Sequence, residues 1–338
     1  MNCYDTFVKI GMIGLGFMGA THYKAFSAIE GVSVTAVCSN NPRALEGDLT
    51  NVGGNLGRSA GKYDFSALRK HRQWEQVIED PDLDVVDICL PTNLHVSVSL
   101  AAMNAGKHVL CEKPMALYAD DCDRMIARSR ETQRVLMVGQ VLRFWPEYKY
   151  LHNFVCSGEH GAVRTATLVR RCAVPDWSKW LLDENQSGGA LLDLLVHDID
   201  QALLVFGVPA KIAAKSLGDV DTVSATLIYP GGPEVRIQGG WFPAGTPFAM
   251  GFQVLAERGE LELAPDGLRL NDRFGASNRI KPEGPDAYEA EVQYFVDCCR
   301  DGKSPDLCSP EASARAVKLA LLMKQSRAEG GKQIACEL

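Results

Sequence analysis

No apolar run in this chain approaches the roughly eighteen residues that a membrane-spanning helix needs, and no block of Lys and Arg marks a surface for nucleic acid or anionic lipid. The 35 basic residues against 42 acidic ones give a formal charge of -7. That balance argues against nucleic acid or an anionic membrane as main partner and points to a small molecule. The opening residues MNCYDTF have neither the basic nor the apolar region of a signal peptide, so a cytoplasmic protein is expected. Zinc-type spacing is missing too. The 11 cysteines are scattered from Cys3 to Cys336 without a C-x-x-C, and read as reduced, mostly buried thiols with no metal site. Internal repeats and low-complexity tracts are also absent. What is present, 338 residues of which 46% are hydrophobic, is enough for two cores.

The chain is organised around Lys9 to Ala20, KIGMIGLGFMGA. Phe7, Val8, Ile10, Met12 and Ile13 suit a buried parallel strand, and Tyr23, Phe26 and Ile29 then recur on one helical face. Between them Gly14, Gly16 and Gly19 stand in the spacing G-x-G-x-x-G, with Phe17 and Met18 inside the turn. Such a turn lets a pyrophosphate approach the backbone at a helix N-terminus, so dinucleotide binding is expected here. The next strand, Val32 to Cys38, ends where an acidic residue would hold the ribose of NAD. This chain has Ser39, Asn40, Asn41, Pro42 and Arg43 instead. Without a carboxylate, and with Arg43 nearby, the pattern leans to NADP while leaving NAD open.

Alternation of strand and helix continues to about residue 140. The strand from Val85 runs into Leu90, Pro91, Thr92, Asn93 and His95, and the strand at His108 to Cys111 runs into Glu112, Lys113 and Pro114. Ligands of an open parallel sheet gather at the carboxyl ends of its strands, so both segments are expected beside the cofactor. Residues 47–64, rich in glycine, read as a loop without assigned chemistry. After residue 140 the runs Val163 to Cys172, Ala210 to Leu217, Thr222 to Tyr229, Glu234 to Phe242, Phe248 to Glu257 and Glu260 to Leu263 follow one another with Gly and Pro turns, which implies a largely antiparallel sheet. The expected fold is therefore α/β: an N-terminal Rossmann doubly wound parallel sheet over 1–140, then an α+β domain with an open antiparallel sheet over 141–310 for substrate and oligomerisation. A closing helix and tail over 311–338 would pack back on the first domain.

Within the second half, Gly189 to Phe206 reads as one helix, on which Asp193 and His197 share a face with Asp200 one turn further. A carboxylate beside an imidazole suits proton transfer. Hydride can leave an alcohol carbon only if the hydroxyl proton also departs, and histidine is the side chain suited to take it near neutral pH.

Taken together, GLGFMG, the EKP at Glu112 to Pro114 and the D-x-x-x-H-D-I-D at Asp193 to Asp200 resemble the family named for glucose-fructose oxidoreductase, inositol dehydrogenase and the rhizopine-catabolism protein (Gfo/Idh/MocA), in order and spacing over essentially the whole chain. The resemblance implies an NAD(P)-dependent dehydrogenase or reductase acting on a CH–OH group of a sugar, sugar derivative or cyclitol. It also implies a homo-oligomer, dimer or tetramer, formed through the face of the second sheet. By the same resemblance Lys113 bridges the nicotinamide ribose and the substrate hydroxyl, Asp193 orients the substrate and His197 is the acid/base. A cis bond before Pro114 is common in the family. Arg143, Trp145 and Tyr148 fall where relatives line the substrate pocket, with Trp177 and Trp180 leading to the catalytic helix and Tyr288 opening a helix near the cleft. Leu181 follows Trp180 where many relatives have arginine, which removes one expected contact. Two other functions fit the same motifs: a non-catalytic nucleotide-binding sensor, against which the retained Lys, Asp and His count, and an NAD-assisted glycoside hydrolase.

Overall fold

The computed structural model describes residues 7–54, 61–218 and 220–338. Cys3 and the middle of the glycine-rich loop, 55–60, lie outside the described residues. The chain divides into two compact units, Met1–Val141 with Pro285–Ala314, and Leu142–Gly284 with Arg315–Leu338.

The first unit is built on six strands, β1 (Val8–Ile13), β2 (Val32–Cys38), β3 (Arg69–His71), β4 (Val85–Ile88), β5 (His108–Glu112) and β6 (Leu136–Gly139). Every neighbouring pair is parallel, and the order is β3-β2-β1-β4-β5-β6. All four residues of β4 and of β6 are buried, as is all of β1 except Lys9. Such strands read as continuous apolar runs because helices cover both faces of the sheet. The strand order reverses between β1 and β4, so the crevice lies where Ile13 and Ile88 end, at the glycine turn. β3 was not expected: it is a three-residue edge strand of Arg, Lys and His with no apolar signal.

Residues 285–314 group with this unit rather than with the second half as expected. The helix Ala287–Asp301 packs on Phe17–Ser27, and its Arg300 donates to the carbonyls of Glu30 and Gly31, both at 2.9 Å.

The second unit holds a nine-stranded sheet: β7 (Val163–Ala173), β8 (Lys211–Lys215), β9 (Thr222–Ile228), β10 (Glu234–Phe242), β11 (Ala249–Ala256), β12 (Gly259–Ala264), β13 (Gly267–Asp272), β14 (Ser277–Ile280) and β15 (Ile334–Ala335). In the order β14-β13-β12-β11-β7-β10-β9-β8-β15 only β7 and β10 run parallel. β9 and β10 alternate buried with more exposed residues over most of their length, as expected when one face is covered. The covering helices include Pro146–Cys156 and Val196–Phe206, packed on each other, the second also against β7 and β10. Residues 315–338, expected on the first domain, group with this sheet. Ser326 Oγ accepts from Ala214 N on β8 at 2.9 Å, and Arg327 pairs with Asp221. Among the described residues no helix is long and apolar enough to cross a membrane.

Candidate active site

The glycine turn has the geometry its motif requires. Gly14 sits at φ +100, and a Cβ there would lie 2.2 Å from the Cys89 carbonyl oxygen; one on Gly19 would lie 2.0 Å from that of Gly14. Gly16 is different. Nothing stands within 4 Å of where its Cβ would be, and it N-caps the helix Phe17–Ser27 without a side-chain hydrogen bond. Open space against uncapped backbone N–H groups is what a bridging pyrophosphate fills, so these residues fit a dinucleotide. The Phe17 ring lies against Gly54, and Tyr23 meets Tyr63 and Phe65 edge-on, which fastens the described ends of the glycine-rich loop to this helix. Phe17 and Met18 are half-buried.

At the ribose end Ser39 Oγ accepts from Asn41 N at 3.2 Å, and Asn41 in turn caps Arg43 N at 3.0 Å. Asn40 and Arg43 are exposed, and the Arg43 guanidinium bonds Asp48 at 2.7 Å. Any 2′-phosphate would share that guanidinium with a carboxylate.

At the end of β4, Leu90 and Pro91 are half-buried and Asn93 is exposed, while Thr92 is buried with no partner for its hydroxyl among the described residues. An orphaned hydroxyl at this strand end also fits a cofactor. His95 does not take the contact role expected of it. It is buried, with Nδ1 2.8 Å from the Pro114 carbonyl oxygen and Nε2 2.9 Å from that of Leu90. Burial lowers its pKa, and the two carbonyls recover only part of that. His95 ties the end of β4 to the loop after β5.

That loop carries Lys113, followed by a cis peptide bond to Pro114. Lys113 N donates to Glu112 Oε2 at 3.0 Å, and Glu112 Oε1 lies 3.1 Å from His22 Nε2. His22 Nδ1 lies 2.9 Å from Asp87 Oδ1, and the Cys89 thiol donates to Asp87 Oδ2 at 3.4 Å. Asp87, His22 and Cys89 thus place an oxygen, a nitrogen and a sulfur within 4.8 Å of one another, a cluster the sequence reading did not find. The signal was thin: His22 follows Gly19 by three positions, and Asp87 is a single charge inside an apolar strand. Burial alone would lower the pKa of His22, but Asp87 and Cys89 outweigh it and hold it well above the ordinary value. Burial pushes Glu112 up, yet the contact with His22, helped by Lys113, brings it below the usual range.

In the second unit the expected single helix is two, Ala190–Asp193 and Val196–Phe206. Leu195 N reaches back five residues to Ala190 O at 2.9 Å, and Asp198 N only three to Leu195 O at 3.0 Å, so the backbone widens and then tightens between them. Gly188 and Gly189, both at φ +78, set up the first helix, whose Ala190 N is capped by Asp221 Oδ2 at 2.6 Å. Between Ala190 and Asp200 every residue is buried except Asp193 and His197, which are half-buried.

The two aspartates that follow His197 serve a different purpose. Asp200 takes a bidentate pair from Arg143, Nε at 2.8 Å and Nη2 at 2.6 Å, and Asp198 accepts from Arg170 Nε at 2.7 Å. All four side chains are at most 5% exposed. Arg143 is therefore turned onto the catalytic-motif helix rather than lining a substrate pocket. Tyr148, also expected there, is buried against Phe252, its hydroxyl accepting from Arg170 Nη2 at 3.4 Å. Trp180 is half-buried against the cluster of Cys172, Leu181, Ala190, Leu194 and Trp241, and Trp177 is exposed. Trp145 caps the helix Pro146–Cys156 and is half-buried. Tyr288, in the first unit, begins a helix with its N–H on Asp286 Oδ1 at 3.0 Å.

Comparison with known proteins then places this arrangement. The oxidoreductase family GFO_IDH_MocA, NAD-binding Rossmann fold, matches residues 8–140, and the GFO/IDH/MocA C-terminal domain matches 148–262. The chain belongs to the Gfo/Idh/MocA family. It is an NAD-binding oxidoreductase, as the motifs implied. Among Gfo/Idh/MocA relatives, the uncharacterised oxidoreductase ORF334 of Rhizobium meliloti is 33% identical over 96% of this chain and 98% of its own. Myo-inositol 2-dehydrogenase of Thermotoga maritima is 30% identical over 67% of this chain and 66% of its own. Levoglucosan dehydrogenase, solved with NADH and levoglucosan, superposes with a TM-score of 0.81 over 98% of this chain and 100% of its own; at 19% identity the likeness is one of fold.

Proposed function

We propose that this protein transfers hydride between a nicotinamide nucleotide and a carbinol carbon of a cyclitol or monosaccharide, with Lys113, Asp193 and His197 as the reacting groups. The observation that carries the reading is the exposure pattern of the D-x-x-x-H-D-I-D segment, in which only Asp193 and His197 keep solvent access while Asp198 and Asp200 are spent on buried arginines. The names of the relatives, inositol and levoglucosan dehydrogenases among them, support the substrate class.

A nicotinamide nucleotide held at the Gly14 to Gly19 turn would supply the acceptor or donor of the hydride. In the oxidative direction Lys113 Nζ donates to the substrate oxygen and makes its proton easier to lose. His197 takes that proton. Its Nδ1 is buried, which leaves Nε2 as the nitrogen to receive it. Asp193 accepts from a neighbouring substrate hydroxyl and fixes which carbon presents its hydrogen. In reduction the same proton returns from His197 to the alkoxide. The cofactor reading leans to NADP because Ser39 leaves the ribose end without a carboxylate, and a cytoplasmic homo-oligomer completes the proposal.

Purified protein assayed with NAD and NADP against myo-inositol, aldoses and levoglucosan tests it. Reduction of one cofactor by a polyol is the expected result. Tight nucleotide binding with no turnover would favour a sensor, and glycoside cleavage without net cofactor reduction an NAD-assisted hydrolase; either outcome sinks the dehydrogenase reading.

A further inference from the structure

The Asp87, His22 and Glu112 side chains form a continuous chain from β4 to the backbone of Lys113, and none of them belongs to the proposed reaction. His22 is fully buried; its Nδ1 hydrogen-bonds Asp87 Oδ1 at 2.9 Å with the Cys89 sulfur 3.6 Å away, and its Nε2 stands at ion-pair distance, 3.1 Å, from Glu112 Oε1. The Asp87 hydrogen bond fixes the ring, and the Nε2 side of the imidazole then holds the Glu112 carboxylate by charge. Glu112 then has one oxygen on His22 and the other on Lys113 N. The Cys89 thiol and Glu291, the latter buried on the helix Ala287–Asp301, complete the ionisable groups around the ring.

We propose that His22 is a positioning residue for Lys113: through Glu112 it holds the Lys113 amide, and thereby sets where the ammonium group projects from the end of β5. The proposal rests on Lys113 being the polarising residue, but the mechanical link from His22 to Lys113 is tested without turnover. The two nitrogens of His22 can be mimicked separately, since a Gln amide stands near Nε2 and an Asn amide near Nδ1. His22→Gln keeps an N–H group opposite Glu112 and loses the one that donates to Asp87; His22→Asn does the reverse.

The measurement is the rate at which trinitrobenzenesulfonate modifies Lys113 in the intact protein, read by peptide mass spectrometry, with exposed Lys211 of the second unit as internal control. His22→Asn should raise the Lys113 rate about tenfold, the scale of one lost contact to a charged group, with Lys211 unchanged. His22→Gln should restore the native rate to within about twofold. A histidine that merely fills space predicts the same behaviour for both variants, and that result overturns the proposal. Should both variants fail to fold, Gly139→Ala perturbs the same carboxylate from β6, since its methyl would stand 3.1 Å from Glu112 Oε1. It should raise the Lys113 rate as well, and an unchanged rate would refute the link. A Lys113→Met variant with full turnover would instead remove the catalytic reading and leave this result standing.

Discussion

The loop that carries Lys113 and the helix that carries His197 are both anchored by buried charge, but of different kinds. In the first unit the anchor is a histidine between two carboxylates, with Glu291, whose carboxyl has no hydrogen-bond partner among the described residues, beside them. In the second it is a pair of arginine–aspartate contacts, Arg143 with Asp200 and Arg170 with Asp198. Arginine holds its charge at any pH a protein survives, whereas histidine and a buried glutamic acid do not. The first anchor therefore carries titratable groups throughout, whereas in the second only the aspartates titrate, and burial raises the pKa of Asp198 against the pull of Arg170.

The mounted groups themselves give the largest effects. Lys113→Met should lower kcat by roughly a thousandfold, the scale of a lost polarising or acid/base group, with NADH affinity nearly unchanged. His197→Asn should cost a similar factor and remove the neutral-pH ionisation from the pH–rate profile. An ionisation that survives in that variant would move the base elsewhere.

Next in size is the arginine anchor. Asp200→Asn leaves the Arg143 guanidinium buried opposite a neutral amide, and breaking such a pair costs about 3–5 kcal/mol. The melting temperature should fall by about 10 °C, and changing Arg143 to Met in the same chain should recover much of it. If the single variant melts with the parent, the pair does not anchor the helix.

These anchors also explain what the sequence made legible. The glycine turn and the apolar runs of β1, β4 and β5 could be read because a buried parallel strand needs apolar residues in succession and a close turn needs glycine. β3 could not, because an edge strand of Arg, Lys and His carries no burial signal. Gly189 to Phe206 read as one helix because its apolar spacing crosses the break, and the long Leu195 hydrogen bond leaves no mark in composition. Arg143 was legible as important but not as to purpose. An arginine near a polyol site and one buried on a carboxylate look alike until the partner, 57 positions away, is located. His22 was hidden by the same distance, since Asp87 and Glu112 come to it only through the sheet order.

The histidine anchor should respond to pH through Glu291. Burial raises the pKa of this acid well above its usual value, Glu112 and Asp87 add to that, and His22 opposes it. A carboxylic acid with a raised folded-state pKa binds its proton more tightly in the native protein, so its contribution to stability declines as pH rises from the unfolded value through the folded one. Glu291→Gln removes that titration. The variant should melt within about 2 °C of the parent at acid pH and gain on it by several degrees at alkaline pH. Parallel curves would mean that Glu291 is not the titrating group. Asp200→Asn should show no such divergence on the alkaline side, which separates the two anchors.

The smallest effect belongs to the ribose end, which neither anchor touches. Ser39→Asp should retain the turn, because a carboxylate can accept from Asn41 N as the Ser39 hydroxyl does at 3.2 Å. It adds a negative charge where a 2′-phosphate would lie and an acceptor where a 2′-hydroxyl would, while Arg43 remains shared with Asp48. An interaction of about 1–2 kcal/mol corresponds to roughly a tenfold shift of preference from NADP toward NAD. Competition between the two oxidised nucleotides for bound NADH measures it directly. With Lys113 labelling and melting temperature unchanged, a shifted ratio assigns Ser39 to cofactor choice alone; an unshifted ratio retires the lean to NADP.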